Sequence, residues 1–184
     1  GRTLYLGSQG AFKIYNVTNP ESPILLYKTD AHFGGGIALS KDNTKLLLGF
    51  LDKFEIYSVV NSSNPVCISS SPIFRGPVFS VAFSNEEDRV LLGIRERANS
   101  GLYPLVLSIF DITNLQSPFL VNSTKLDEHW RAKNGLWFHS NKEFVFFYTR
   151  FEFKMVRITD WEQTILFSSN SEIRSIPFTA SLDN

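Results

Sequence analysis

Cysteine is almost absent from this chain, since Cys67 is the only one among 184 residues. A single thiol cannot form an intrachain disulfide, and the metal and redox motifs that need cysteine pairs are excluded. We expect Cys67 to be a buried, inert thiol, because free cysteine behaves as a small apolar side chain.

An excess of charge of one sign is also missing. The 18 basic and 18 acidic side chains cancel to a formal net charge of zero. Without a broad basic field the chain lacks the usual attraction for nucleic acid or for an anionic membrane surface. No apolar run is long enough to cross a bilayer, and no stretch resembles a signal peptide. Because the first residue is Gly1 rather than Met, we expect a processed chain or a segment of a longer one.

The residues that are abundant favour strands and turns. There are 17 Phe against a single Met, together with many Val, Ile, Leu, Ser and Asn, and this composition is typical of β-structure. A chain of this length can bury a sizeable core without disulfides or metal. We therefore predict an all-β protein with one domain, residues 1–184.

Four related strings recur along the chain. Their first and third positions are apolar, and so are their fourth and sixth. Since alternate strand residues face opposite sides of a sheet, this pattern predicts a strand that is covered on both sides. The strings are "FKIYNVTNPESPILLYKTD" from Phe12, "FEIYSVVNSSNPVCISSS" from Phe54, "LSIFDITNLQSPFLVNST" from Leu107 and "FKMVRITDWEQTILFSSN" from Phe153.

Each string contains a five-residue connector at the same offset. The connectors are residues 19–23, 61–65, 114–118 and 160–164. Asn or Asp opens each one and bonds its own backbone locally, while Pro closes the first three. Because Pro is tolerated at the start of an edge strand, the strand after each connector is predicted to be the outer edge of its sheet.

A hairpin precedes each of the last three strings: "GIALSKDNTKLLLGF" at 36, "SVAFSNEEDRVLLGI" at 80 and "GLWFHSNKEFVFFYT" at 135. Two hairpins per repeat, at a spacing of about 40–50 residues, predict a β-propeller with four four-stranded blades. The terminal "SIPFTASLDN" at 175 continues the pattern into "GRTLYLGSQ" at 1. Either the N- and C-terminal strands share a blade in a closed small ring, or the chain is a segment of a larger propeller or tandem array.

The strings from Phe12 and Leu107, with their Asn-Pro or Ser-Pro connectors, resemble the LVIVD-repeat family. The likeness spans almost the whole chain, although "TDWEQT" in the last copy lacks the proline. The resemblance implies a β-propeller that is extracellular or at the cell surface. It implies no catalytic residues.

In such a propeller the loop from the outermost strand of one blade to the innermost strand of the next and the loop between strands two and three share one face, which commonly binds ligands or partners. Arg side chains in these loops suit carboxylates or phosphates, and Trp suits a sugar or an apolar surface. The alternative is that the loops are polar only because they are solvated. The candidate ligand- or partner-binding residues are His32, Arg75, Arg95, Arg97, His129, Trp130 and Arg131.

No compact metal-binding spacing links His32 and His129 with the nearby Asp30 and Asp127. No nucleophile elbow is present either. We therefore predict no metal, no cofactor and no catalytic residue, and a binding module rather than an enzyme.

Three N-glycosylation sequons begin at Asn16, Asn61 and Asn122. Glycans would indicate an extracellular chain and would offset the weak repulsion at zero net charge. The sequence thus predicts a non-enzymatic extracellular or cell-surface repeat protein that acts as a structural or protein-interaction module. Its partners are other protein chains or copies of itself, and one form that this role can take is a glycosylated unit of a larger assembly or fibre. The alternative is a propeller enzyme or small-ligand receptor that uses the Arg- and His-lined loop face.

Overall fold

The computed structural model describes residues 2–8, 10–30, 32–97, 104–127, 135–138, 144–148, 153–159 and 162–169. Within these ranges the chain forms strands, turns and loops, and no helix. The strands are β1 (Thr3–Ser8), β2 (Ala11–Asn16), β3 (Ile24–Thr29), β4 (Phe33–Leu39), β5 (Lys45–Phe50), β6 (Phe54–Ser58), β7 (Val66–Ser70), β8 (Val78–Phe83), β9 (Arg89–Arg95), β10 (Leu105–Asp111), β11 (Phe119–Asp127), β12 (Gly135–Phe138), β13 (Phe144–Tyr148), β14 (Phe153–Thr159) and β15 (Glu162–Ser169).

Consecutive strands pair antiparallel into separate sheets. In the described residues sheet 1 is β1-β2-β3, sheet 2 is β4 to β7, sheet 3 is β8 to β11 and sheet 4 is β12 to β15. The chain divides into two units, Gly1–Trp130 with sheets 1 to 3 and Arg131–Asn184 with sheet 4. The all-β prediction is confirmed. A fourth strand for sheet 1 was predicted from residues 175–184, which lie outside the described residues.

The first three connectors form as predicted. In each one the Asn side-chain oxygen accepts a hydrogen bond from the backbone N–H two residues later, at 3.2 Å for Asn19, 3.1 Å for Asn61 and 3.1 Å for Asn114. The strands that follow, β3, β7 and β11, lie at sheet edges. The edge prediction is therefore confirmed for them, and β15 is likewise an edge of sheet 4.

The prediction for the fourth connector, residues 160–164, is wrong. Strand β15 begins at Glu162, which pairs with Thr159, and Gln163 pairs with Ile158. This copy has Thr164 where the others have Pro. Because Thr keeps the backbone N–H that Pro lacks, the ladder extends to the Thr159–Glu162 pair.

A β-bulge recurs at the same place in all four sheets. The register shifts between the third and fourth residues of each repeated string, so one residue of each outer strand is left without a direct partner: Leu26, Ile68, Val121 and Leu166. A bulge bends its strand and increases the local twist. The repeat is therefore one of backbone geometry as well as sequence.

Strand β6 shows why these strings have apolar residues on both faces. Phe54 and Ile56 are buried in a cluster with residues of sheet 3, including Phe83 and Leu92. Val59, just beyond the end of β6, is buried in a second cluster with Phe12 and Ile14 of sheet 1, against which Tyr57 also packs. Sheet 2 is thus packed on both sides, as predicted.

The hairpin turns of sheets 2 and 3 repeat each other closely. The hydroxyl of Ser40 donates to Asp42 at 2.6 Å, and that of Ser84 donates to Asp88 at 2.8 Å. These two hydroxyls also accept the N–H of Lys45 and Arg89 at the start of the next strand. Hydrogen bonds from Ser40 and Thr44 lower the pKa of Asp42 to about 2. The third hairpin string has His139 at the position of Ser40 and Ser84, and this residue lies outside the described residues.

Glu87 links these two turns. Its carboxylate accepts the backbone N–H of Lys41 and pairs with Lys45 Nζ at 3.0 Å. Its side chain is only 14% exposed. Burial alone would raise the pKa of Glu87, but the hydrogen bonds from Lys41 and Lys45 outweigh it, so the pKa is lowered. The charged form therefore stabilises the packing of sheet 3 against sheet 2.

Replacing Glu87 with Gln is expected to lower the free energy of unfolding at neutral pH by about 1 kcal/mol, because hydrogen bonds to a charged acceptor are lost. A carboxylate with a lowered folded pKa stabilises the fold above its unfolded pKa, and this contribution is lost as pH falls through the folded value. The variant should therefore lose less stability than the wild type on acidification. Urea unfolding from neutral to acid pH measures this. Glu86→Gln, at the exposed neighbouring position, is the control and should match the wild type.

The prediction that Cys67 is buried is wrong. Cys67 is exposed because it lies on β7, the outer edge of sheet 2. Partial burial of the sulfur and the nearby Glu55 carboxylate nevertheless raise the pKa of the thiol. A raised pKa leaves less of the reactive thiolate at neutral pH.

Candidate functional site

Four loops of the first unit are joined side by side through backbone hydrogen bonds. The N–H of Leu51 donates to the carbonyl of His32 at 3.1 Å, and that of Phe74 donates to the carbonyl of Asp52. The N–H of Arg97 donates to the carbonyl of Arg75 at 2.8 Å. The loops between sheets and the loops between second and third strands thus share one side of this unit, as predicted.

The structure brings three of the predicted binding residues together. Arg75 lies in the loop after β7 and is exposed, while Arg95 at the end of β9 is half-buried and Arg97 is exposed. His32 is exposed in the loop between β3 and β4 and is joined to the β5–β6 turn rather than to the arginines. His129, Trp130 and Arg131 lie outside the described residues.

Gly76 holds the two arginine-bearing segments together. A Cβ atom at this position would lie 1.9 Å from the carbonyl oxygen of Arg95 and 2.9 Å from its carbonyl carbon. Only a residue without a side chain permits this approach. The segment around Arg75 is therefore pressed against the end of β9, and the positions of the two backbones are mutually determined.

A cavity of about 250 Å³ opens beside Arg75, between the end of sheet 2 and the face of sheet 3. We call it the Arg75 cavity. This volume is slightly below the usual range of small-ligand sites. Its lining is mainly apolar with four polar residues, and consists of Ile73, Phe74, Arg75, Ile94, Glu96, Val106, Ser108, Phe110, Leu120 and Ser123.

The small residue at one position of the third string explains why a cavity forms here. Ser108 is the second residue of the third string, and its equivalent in the second string is Glu55. Glu55 fills its place on sheet 2 by accepting from Tyr57 at 2.7 Å and pairing with Lys53 at 2.6 Å. Ser108 is too short to do the same, and it bonds only across to Ser123, with the two hydroxyl oxygens 3.1 Å apart. The space is left open.

In the second string, Glu55 changes the pKa values of its neighbours Tyr57 and Lys53. Burial, and then the hydrogen bond to Glu55, raise the pKa of the Tyr57 hydroxyl above its ordinary value. The same carboxylate raises the pKa of Lys53 through a hydrogen bond. Tyr57, Lys53 and Glu55 contact one another, so the position that is small on sheet 3 is filled on sheet 2.

The charges at the mouth of the Arg75 cavity are of opposite sign. Arg75 contributes a guanidinium and Glu96 a carboxylate, and both line the cavity. In the described part of the chain neither side chain takes part in a salt bridge. Ser108, at 3% exposed, lies among the buried residues of β10. The site therefore combines an apolar interior with one cation and one anion at its rim.

Most of the lining residues were not among the predicted site residues. Glu96 stands between two arginines that were predicted, and Ser108 could have been found by aligning the second position of the strings, which is Lys13, Glu55, Ser108 and Lys154. Only Ser108 in this set is small and uncharged. The apolar lining carries no such signal, because apolar residues in strands are normally core residues.

A second surface feature lies on the outer strands. Phe119, Leu120 and Val121 begin β11 and are 57%, 51% and 37% exposed. Ile24 and Leu25 of β3 and Val66 of β7 are exposed at the equivalent strand starts. We call Phe119, Leu120 and Val121 the β11 edge. Leu120 also lines the Arg75 cavity, so the two features adjoin.

The three sequons differ in exposure. Asn61 is exposed in its connector, whereas Asn16 and Asn122 are half-buried. The side-chain oxygen of each one accepts a backbone N–H, at 2.9 Å for Asn16, 3.1 Å for Asn61 and 2.7 Å for Asn122. Because Asn61 alone of the three is exposed, it has the most room for a glycan.

Among the residues that the structure describes, no three His, Cys, Asp or Glu side chains are grouped so that they could hold a metal ion. None of the described segments is a helix with the length and apolar character required to cross a membrane.

No protein-family model and no curated protein matches the sequence. Solved structures do match its fold. A protein from Lactobacillus plantarum is 16% identical with a TM-score of 0.67, and the periplasmic gluconolactonase PpgL of Pseudomonas aeruginosa is 12% identical with a TM-score of 0.65. Sqt1 of Saccharomyces cerevisiae is 6% identical with a TM-score of 0.61.

These neighbours are propeller proteins, so the fold of the chain is of the propeller type. The matches cover 92%, 92% and 91% of this chain but only 54%, 54% and 45% of the respective neighbours. The chain thus spans about half the length of the proteins it matches. At these identities the likeness shows the fold alone.

Proposed function

We propose that this chain is a non-enzymatic, extracellular or cell-surface propeller module that binds protein chains, including copies of itself. The observation that carries the proposal is the β11 edge, three consecutive exposed apolar residues on an edge strand. An edge strand presents unpaired backbone groups, and exposed apolar side chains beside them favour pairing with another chain.

The charge balance supports association. The chain has a formal net charge of zero and a sequence pI of about 7.0. A protein near its isoelectric point has little electrostatic repulsion to oppose contact between copies. Apolar contact at the β11 edge can then drive association between copies of the chain.

The finer architecture belongs to the same proposal. The four sheets would be four blades of an LVIVD-like propeller, with sheet 1 completed by one more strand. The coverage of about half of each neighbour favours a segment of a larger propeller over a closed ring of four blades. Exposed Asn61 suits an N-linked glycan, and the mass of the chain from its native source would show whether one is attached.

Replacing Phe119 with Lys is expected to abolish self-association, because it puts a charge into the apolar contact. Sedimentation velocity over a wide range of protein concentrations should show concentration-dependent assembly for the wild type and a monomer for the variant.

Leu51→Lys is the matched control. Leu51 is exposed to a similar extent, 48%, but lies in the β5–β6 turn rather than on an outer strand. It should assemble like the wild type. A wild-type chain that stays monomeric throughout, or a Leu51 variant as defective as the Phe119 variant, would contradict the proposed association surface.

A further inference from the structure

The interior of the Arg75 cavity is suited to an apolar group. Ile94, Val106 and Phe110 form its walls and belong to the core cluster between sheets 2 and 3. The hydroxyl oxygens of Ser108 and Ser123 lie 3.1 Å apart, so one hydroxyl donates a hydrogen bond to the other. An apolar group that enters the cavity leaves this bond in place and gains from leaving water.

The rim of the cavity is suited to two opposite charges. The planar guanidinium of Arg75 can bind a carboxylate with two parallel hydrogen bonds. The carboxylate of Glu96 accepts hydrogen bonds only, and so suits an ammonium group. A simple anion would be repelled by Glu96 and a simple cation by Arg75. A ligand with both charges satisfies both residues.

The backbones that carry these two charges are held in place. The carbonyl of Arg75 accepts the Arg97 N–H at 2.8 Å, and the N–H of Glu96 donates to the Pro104 carbonyl at 3.0 Å. The close approach of Gly76 to Arg95 connects the two segments. Because both segments are held by these contacts, their backbone positions are set before a ligand arrives, which lowers the entropic cost of binding.

From these three features we infer that the Arg75 cavity binds a small zwitterion with an apolar side chain, that is, a free α-amino acid such as leucine or phenylalanine. Arg75 binds its carboxylate, Glu96 binds its ammonium group and the side chain enters the space that Ser108 leaves open. A cavity of about 250 Å³ lies just below the usual range of small-ligand sites, which suits a ligand as small as a single amino acid.

Calorimetric titration with four small molecules tests the assignment. Leucine should bind. Glycine lacks the apolar group, 4-methylpentanoate lacks the ammonium and 3-methylbutylamine lacks the carboxylate, and each should bind about tenfold more weakly or worse. Equal binding of leucine and 4-methylpentanoate would overturn the zwitterion assignment, and no binding of leucine at millimolar concentration would overturn the site.

Variants then locate the bound molecule. Arg75→Met and Glu96→Gln should each weaken leucine binding about tenfold or more, and Ser108→Leu should abolish it by filling the cavity. The matched control is Arg2→Met, since Arg2 is an exposed arginine just before β1 and does not line the cavity. It should bind as the wild type does. Leucine binding that survives all three cavity variants would show that the site lies elsewhere.

Thermal unfolding of each variant confirms that it is folded before its binding is interpreted. Leucine binding in the Arg75 cavity does not depend on the proposed association through the β11 edge. Phe119→Lys changes the β11 edge without lining the cavity, so it should abolish assembly and leave leucine binding unchanged. Failure of one proposal is thereby distinguished from failure of the other.

Discussion

Replacing Phe54 with Ala is expected to lower the free energy of unfolding by about 3–5 kcal/mol. The Phe54 ring is fully buried between sheets 2 and 3. It meets Phe110 edge-on at 5.4 Å between centroids and stacks on Phe74 at 6.4 Å. Truncation leaves a cavity inside a cluster that joins two sheets, and strands cannot move together to fill it without breaking their ladders. Urea unfolding of the wild type and the variant measures the difference.

Phe119→Ala is the matched control, because it removes the same atoms from an exposed position. Its effect on unfolding should stay within about 0.5 kcal/mol. A core shared between sheets 2 and 3 predicts this contrast between the two phenylalanines. Similar losses at both positions would mean that Phe54 does not hold the sheets together.

Replacing Gly76 with Ala is expected to lower the free energy of unfolding by about 2–3 kcal/mol. The added methyl group would collide with the backbone of Arg95, which cannot move aside as a flexible side chain can. The added carbon would stand 1.9 Å from the Arg95 oxygen. The loop after β7 and the end of β9 must then separate. Thermal and urea unfolding measure the cost.

The same variant has a second readout. Separation of the two segments displaces Arg75 from Glu96, so Gly76→Ala should weaken leucine binding. The weakening should exceed that of a variant with the same free energy of unfolding whose substitution lies away from the cavity. Ser70→Ala, at an exposed position on β7, is the control for introducing alanine nearby and should leave both properties unchanged. A Gly76 variant with wild-type stability would refute the close packing of these segments.

Local chemistry accounts for the predictions that the structure confirms. The connectors at Asn19, Asn61 and Asn114 form because each Asn side chain bonds the backbone two residues on, which requires nothing from the rest of the fold. The outer position of β3, β7 and β11 follows from the Pro that precedes each strand. In the fourth string, where Thr164 replaces the Pro, the predicted connector at residues 160–164 is wrong.

Features that depend on packing between sheets were not predictable in the same way. Cys67 was expected to be buried from its residue type, but its position on an edge strand exposes it. The Arg75 cavity arises because Ser108 replaces a larger residue on a face that is covered by another sheet. Sequence spacing does not reveal which sheet covers that face, or that Glu96 reaches the same rim as Arg75.

The sequence by itself determined the strands, their order, the edges and three of the four connectors, because alternation, turn chemistry and proline act over a few neighbouring residues. Only the tertiary structure decided where a cavity opens and which charges meet at its mouth. Those properties depend on the volumes of side chains brought together from strands far apart in sequence, and on a backbone contact at Gly76 that no local pattern encodes.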